Sequence, residues 1–292
     1  MSSKRYSNPH ESKSQKFWRS FLAFTLFIVL SLLALSIAIR AVFINPQSIV
    51  KVFTDDNYTY SLYEDISGYA RDLCRSASIP EDSADSAVTF DKIYEIQKAY
   101  SAGILGTDEQ YTLTTYQDDI DNLCDELKRE IAETVKNRDL KISQGIEAPE
   151  EEFTRLFREY LESRVEIPLM DRLPNILTIA RTLDLIAIIT LAVMAVLLIF
   201  IVPSIGNKLY RALRWVAYAF MGSGIFNLLL VLGVQCIKLF KHLVLYPVYF
   251  SDALMRYINN CLLSVTASSG VLFACALAVA CIVWKIKRDK NN

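Results

Sequence analysis

The stretch "DDIDNLCDE" (118–126) carries Asp118, Asp121 and Asp125 at three- and four-residue steps, which puts three carboxylates on one face of a helix. Three carboxylates are the beginning of a Ca²⁺ site. A calcium loop also needs alternating ligands and a glycine at its sharp turn, and this stretch has neither. The same acids lie opposite Tyr116, Ile120 and Leu123, so a solvated helix face accounts for them and no metal ligand is expected. The two histidines, His10 and His242, are far apart in the chain, which excludes a zinc helix of the HExxH kind. No phosphate loop, GxSxG elbow or dinucleotide fingerprint occurs. The expectation is a non-enzymatic chain with no catalytic residue, no cofactor and no metal.

Other residues have types that invite a role. Cys74 and Cys124 both sit on apolar stripes. Outside the cytoplasm such a pair can form a disulfide, which would close a loop of about 50 residues and contribute roughly 4 kcal/mol in the chain-entropy model. The other reading is two buried thiols acting as small hydrophobes. Asn57-Tyr58-Thr59 is a glycosylation sequon in hosts that use one. Asn227 and Gln235 are the amides of an otherwise apolar run, suited to a hydrogen bond with a neighbouring helix or to lining a polar path. Arg181 and Asp184 are three apart, a spacing at which they can pair.

These residues are set among long apolar segments. Ser20–Ile39, Leu185–Asn207, Trp215–Ile237 and Tyr257–Trp284 are free of charge. About twenty helical residues at ~1.5 Å each cross a ~30 Å hydrocarbon core. Four spanning helices follow, at 20–39, 185–206, 215–237 and 261–284. Ser36-Ile37-Ala38 resembles a cleavage site, but it lies inside the apolar run, and the run is longer than a signal-peptide core, so the first helix is read as retained. Lys and Arg gather at 1–19, 207–214 and 285–292. Basic residues beside helix ends stay on the cytoplasmic side, so both termini are expected inside a plasma membrane. The 40–184 insert and the amphipathic 238–260 connection then face outward.

The insert holds 16 Lys/Arg against 29 Asp/Glu. An acidic surface repels nucleic acid, which is excluded as a partner. Apolar residues recur at helical spacing through the insert. The first stripe includes Leu62, Ile66, Ala70 and Cys74. The second includes Ile93, Gln97 and Tyr100, after Thr89 as N-cap and before stops at Gly103 and Gly106. The third is Tyr116, Ile120, Leu123, Cys124, Leu127 and Ile131. The fourth, after Pro149, includes Phe153, Phe157 and Leu161. Pro46 suits the first turn of a short helix over 46–53. Pro168 is read as a break, Pro174 as a restart, and Ser251 as a cap for the last helix. The fold class is all-α: four transmembrane helices plus an extracytoplasmic helical bundle inserted between the first and second. With at least four amphipathic helices, the segment 46–172 is expected to fold by itself.

The layout has a basic start, one span, a tyrosine-rich acidic insert opening with Asn45-Pro46 and "YSLYEDISGYARDL" (60–73), and three further spans. It resembles poorly characterised four-helix membrane proteins of Gram-positive bacteria. The resemblance implies a bacterial plasma-membrane setting and brings no catalytic residues. The functional expectation is an extracytoplasmic domain that binds or senses an envelope ligand or partner protein, with the lipid bilayer as its other partner. The alternative is an oligomeric channel or transporter component capped by the helical domain, which would use Asn227 and Gln235.

Overall fold

The computed structural model describes residues 13–137, 149–167, 170–204, 209–237 and 246–289. Every described element is helical, and no strand occurs among the described residues. Four helices are long and apolar enough to cross a membrane: Phe17–Val42, Met170–Ser204, Tyr210–Ile237 and Val248–Arg288. The chain divides into two units. One contains the first and third of these spans and the larger parts of the second and fourth, from Ala180 and from Asn259. The other is Asn45–Ile179 with the described part of Leu243–Ile258.

In the spanning unit, α1 (Lys13–Val42) packs along α9 (Leu209–Ile237). Leu26, Val29, Leu30 and Ala34 of α1 meet Val216 and Ala219 of α9, Ala195, Leu198 and Val202 of α8 (Leu173–Ser204), and Leu272 of α10 (Val248–Asp289). Because α1 supplies part of this core, it is a structural helix of the unit. Glycine allows close approach at two points. A Cβ at Gly222 would stand 3.2 Å from the Phe27 ring, and one at Gly224 would stand 3.1 Å from Phe273. The outward face of α8 exposes Ile186, Ile189, Leu197 and Phe200. Exposed side chains of that size in an unbroken row need an apolar solvent, as a bilayer provides.

The helical unit starts at α2 (Pro46–Phe53), where the Asn45 side chain accepts the Gln47 N–H at 3.1 Å and Pro46 occupies the first turn. It continues through α3 (Asp56–Ser76), α4 (Asp82–Ala87), α5 (Phe90–Leu105), α6 (Leu113–Asn137) and α7 (Pro149–Val165). α5 is central and packs on α2, α3, α6 and α7. Its sequence explains the position, because Ile93, Ile96, Gln97, Ala99, Tyr100 and Ala102 are buried around most of its circumference. α5 ends at Gly106, whose φ of +58° is a left-handed cap that a side chain would strain. The core is closed by Leu62 and Ile66 of α3, Ile120 and Leu127 of α6, and Phe157 and Leu161 of α7.

Several expected boundaries move. The last helix, expected to follow a cap at Ser251, starts at Val248, so Ser251 lies inside α10 and does not cap it. Residues 248–258 pack with the helical unit, so that unit is built from two separate stretches of chain and the 46–172 segment lacks one of them. α8 starts at Leu173, after one 3-10 turn at Met170–Arg172, with Pro174 in its first turn. Thr89 is the N-cap residue of α5, although its side chain makes no cap hydrogen bond. Pro168 and the end of the 185–206 span lie outside the described residues.

Candidate functional site

A polar cluster that joins three helices of the helical unit centres on Asp65 of α3. Its carboxylate accepts the Tyr160 hydroxyl of α7 at 2.9 Å and the Tyr249 hydroxyl of α10 at 3.2 Å. Arg164 of α7 pairs with it at 3.2 Å. The Arg164 guanidinium lies over the rings of Tyr160 and Tyr246, at 4.8 and 5.4 Å from their centroids. Burial pulls the Arg164 pKa down, but the adjacent Tyr160 and Tyr246 and the nearby Asp65 charge more than reverse this, so the guanidinium stays charged. Tyr69 stacks on Tyr160 at 3.8 Å. Ten residues earlier, Asp55 pairs with Arg256 of α10. Beside these two ties, Tyr58 meets Tyr249 edge-on at 5.4 Å and Phe53 of α2 stacks on Phe250 at 5.8 Å. Asp65 is matched with Tyr249 and Asp55 with Arg256, so the first turns of α10 run antiparallel to α3. The cluster ties α3, α7 and the first turns of α10 together.

The second feature is an open groove of about 310 Å³ between α5 and α6, floored by Ile96 and Leu123 and lined by Asp91, Glu95, Asp119 and Glu126 with Lys92. Lys92 pairs with Glu126 at 2.7 Å and donates to the Ala87 carbonyl at 2.8 Å. Glu95 accepts the Tyr111 hydroxyl at 2.9 Å. Partial burial, then the Glu95 and Asp118 charges, raise the Asp119 carboxyl above its usual value. The groove therefore concentrates negative charge over an apolar floor. Among the described residues, no group of three or more His, Cys, Asp or Glu is placed to hold a metal ion.

The residues singled out from the sequence are spread apart. Asp118, Asp121 and Asp125 are exposed, and Asp121 pairs with Arg158 of α7. Cys74 and Cys124 are buried and stand as free thiols in the structure, where the expectation allowed a bridge. The Glu81 and Asp85 charges act on Cys74, and the Arg158 and Glu162 charges of α7 act on Cys124. Asn57 opens α3, and the hydroxyl of its sequon partner Thr59 is fully buried with no hydrogen-bond partner. Arg181 and Asp184 do not pair with each other. Arg181 donates to the Ile44 carbonyl, two residues past the end of α1, at 3.1 Å, and Asp184 pairs with Arg40 of α1 at 3.6 Å.

The intramembrane amides also separate. Asn227 is fully buried against α1, with its amide N–H reaching the Ser31 carbonyl at 3.5 Å and its oxygen unpartnered. One turn earlier, Ser223 donates to the Phe27 carbonyl at 2.9 Å. Gln235 is exposed near the end of α9. Asn227 therefore acts in helix packing. Replacing it with leucine removes a long hydrogen bond and also an unsatisfied oxygen, so Asn227→Leu is expected to change stability by less than about 1 kcal/mol in a thermal-shift measurement. A large loss would mean that the amide has a polar partner beyond Ser31.

The sequence reading missed the Asp65 cluster and the Asp55–Arg256 pair. One faint signal exists: Tyr249 and Arg256 are seven apart, the repeat of one helix face. No family model, curated protein or solved structure matches this chain.

Proposed function

We propose that the chain is a non-enzymatic, multi-pass protein of a bacterial plasma membrane, with both termini in the cytoplasm and the helical unit outside. In this reading the helical unit binds or senses a cationic envelope ligand, or a basic segment of a partner protein. The observation that carries it is a helical unit with its own closed core that leaves a carboxylate-lined groove open on α5 and α6. Such a groove attracts positive charge and repels nucleic acid and anionic lipid. The basic residues at the ends of α1, α9 and α10 support the orientation.

Orientation is tested by cysteine labelling on intact cells. A Glu109→Cys variant is expected to react with an impermeant maleimide, and a Lys287→Cys variant only after permeabilisation, as read from the labelled peptides. Labelling of Lys287→Cys alone would reverse the orientation and remove the envelope from the reading. Binding is tested by photo-crosslinking in native membranes from position 122, where Asn122 also lines the groove. The crosslinked species is expected to be lost in a Glu95→Gln/Asp119→Asn variant. An adduct that survives neutralisation of the groove would overturn the groove as the binding surface.

A further inference from the structure

We propose that one end of the spanning unit is a binding band for the phosphodiester headgroups of anionic phospholipids. The inference rests on the membrane reading of the four helices. It is independent of the groove on α5 and α6 and of which side this end faces. The three tryptophans of the chain are its landmark. Ser223 donates to the Phe27 carbonyl and Asn227 to the Ser31 carbonyl, both across 196 residues, so α1 and α9 run parallel in a fixed register. That register sets Trp215 within one residue of the level of Trp18. α10 runs against them: Ser264 donates to the Ala38 carbonyl, and the Phe273 ring packs on Gly224. Twenty residues along each helix from the Ser264–Ala38 contact stand Trp284 and Trp18. Trp18, Trp215 and Trp284, one from each of three helices, therefore share one level.

Tryptophan favours the headgroup boundary of a bilayer, where its ring lies in an apolar setting and its N–H is wet. Trp18 and Trp284 are 52% and 64% exposed, so both rings are open to lipid. From this level to the Ser264–Ala38 contact the helices run ~30 Å, the thickness of one hydrocarbon core. The level thus marks one boundary, and basic residues gather at it and beyond it. Residues 205–219 and 280–292 hold seven Lys/Arg against one acid, Asp289. Arg211 and Arg214 lie over the Tyr210 ring, at 6.0 and 5.9 Å from its centroid, and Arg288 lies over the Trp284 ring at 5.6 Å. The rings hold these guanidiniums at headgroup depth, while the side chains stay exposed and keep N–H donors for a phosphate. An anionic headgroup complements such a band in full. A zwitterionic one cancels part of the attraction with its own cation.

The test reads tryptophan fluorescence of the full chain in vesicles of mixed phosphatidylcholine and phosphatidylglycerol, because all three tryptophans belong to the band. One lipid at a time carries quenching bromines, at a shallow or a deep acyl position. Shallow bromines are expected to quench more than deep ones. Brominated phosphatidylglycerol is expected to associate about 3–10-fold more strongly than brominated phosphatidylcholine at equal mole fraction. An Arg211→Gln/Arg214→Gln/Arg288→Gln variant should bring that ratio close to one and keep the depth profile. If the variant does not fold, about 1 M salt applied to the unaltered protein should lower the ratio in the same way. Equal quenching by the two headgroups would overturn the lipid preference, and deep bromines as effective as shallow ones would overturn the band. A preference abolished by inorganic phosphate at matched ionic strength would assign the site to free phosphate and overturn the lipid as its ligand. Absence of quenching at either depth is a separate failure, which would remove the membrane reading itself and the band with it.

Discussion

Expressed alone, residues 45–179 are expected to give a helical product with a broad thermal transition, and joining residues 246–258 through a flexible linker is expected to restore a sharp one. The excised fragment leaves Phe53 and Tyr58 without Phe250 and Tyr249, and leaves Asp65 and Asp55 without partners from α10. Two large aromatic side chains contribute about 1.5–3 kcal/mol each when buried. Removing one donor from each carboxylate, Tyr249 from Asp65 and Arg256 from Asp55, adds to the loss. For a unit of this size each kcal/mol moves the midpoint by about 2–4 °C, so the two fragments should differ by roughly 10–20 °C in circular dichroism melts. Coincident melts would mean that the α10 segment rides on the unit without stabilising it.

The second large effect is alkaline. Burial, aided for Cys74 by the Glu81 and Asp85 carboxylates, pushes the thiols of Cys74 and Cys124 up to about 11. At Cys124 the Arg158 cation opposes the burial but does not cancel it. In the unfolded chain both thiols ionise near their ordinary value of ~8.5. Between these values the folded protein holds protons that the unfolded chain has released. The thiol contribution to stability is therefore whole below about pH 8.5 and is lost as pH rises through about 11. Each thiol accounts for on the order of 2–3 kcal/mol. Tyr58, Tyr100 and Tyr116, all raised chiefly by burial, steepen the loss at higher pH. Urea midpoints at pH 8 and 10.5 should fall further for the parent than for a Cys74→Ala/Cys124→Ala variant, and parallel profiles would contradict the assignment. Because both thiols are free, denaturation without reductant should expose all six cysteines to alkylation. A shortfall of two would show that the bridge forms in an oxidising compartment.

Local periodicity made most helices legible. All six residues of the α6 stripe, Tyr116 to Ile131, are buried, and the short helix over 46–53 appears at those residues. Periodicity reports which face of a helix is apolar, and Tyr116 or Ile120 must face a core whatever lies opposite. α4 was not read because six residues are too few to show a period. The start of α10 was misplaced because Lys238, Arg256 and the tyrosines between them match a headgroup-level loop as well as a helix docked on protein. The Asp65 cluster lay beyond reach for a different reason. An aspartate, two tyrosines and an arginine on three helices carry no shared pattern, and only the tertiary fold joins Asp65 to Tyr160, 95 residues away.

The docking of α10 on α3 also constrains how the protein is made. Asp55 and Arg256 are 201 residues apart, and Asp65 and Tyr249 are 184 apart. At ~5–20 residues per second a ribosome needs roughly 10–40 s to travel that distance. During this interval α3 has emerged without its last partner, and two further apolar spans, α8 and α9, must be synthesised before that partner appears. The nascent unit then waits with Phe53 and Tyr58 uncovered, as a window for chaperone capture or for pairing with the wrong chain. Its completion is timed by membrane insertion, so a delay at the third span would appear first as misfolding of a domain whose own sequence is unaltered.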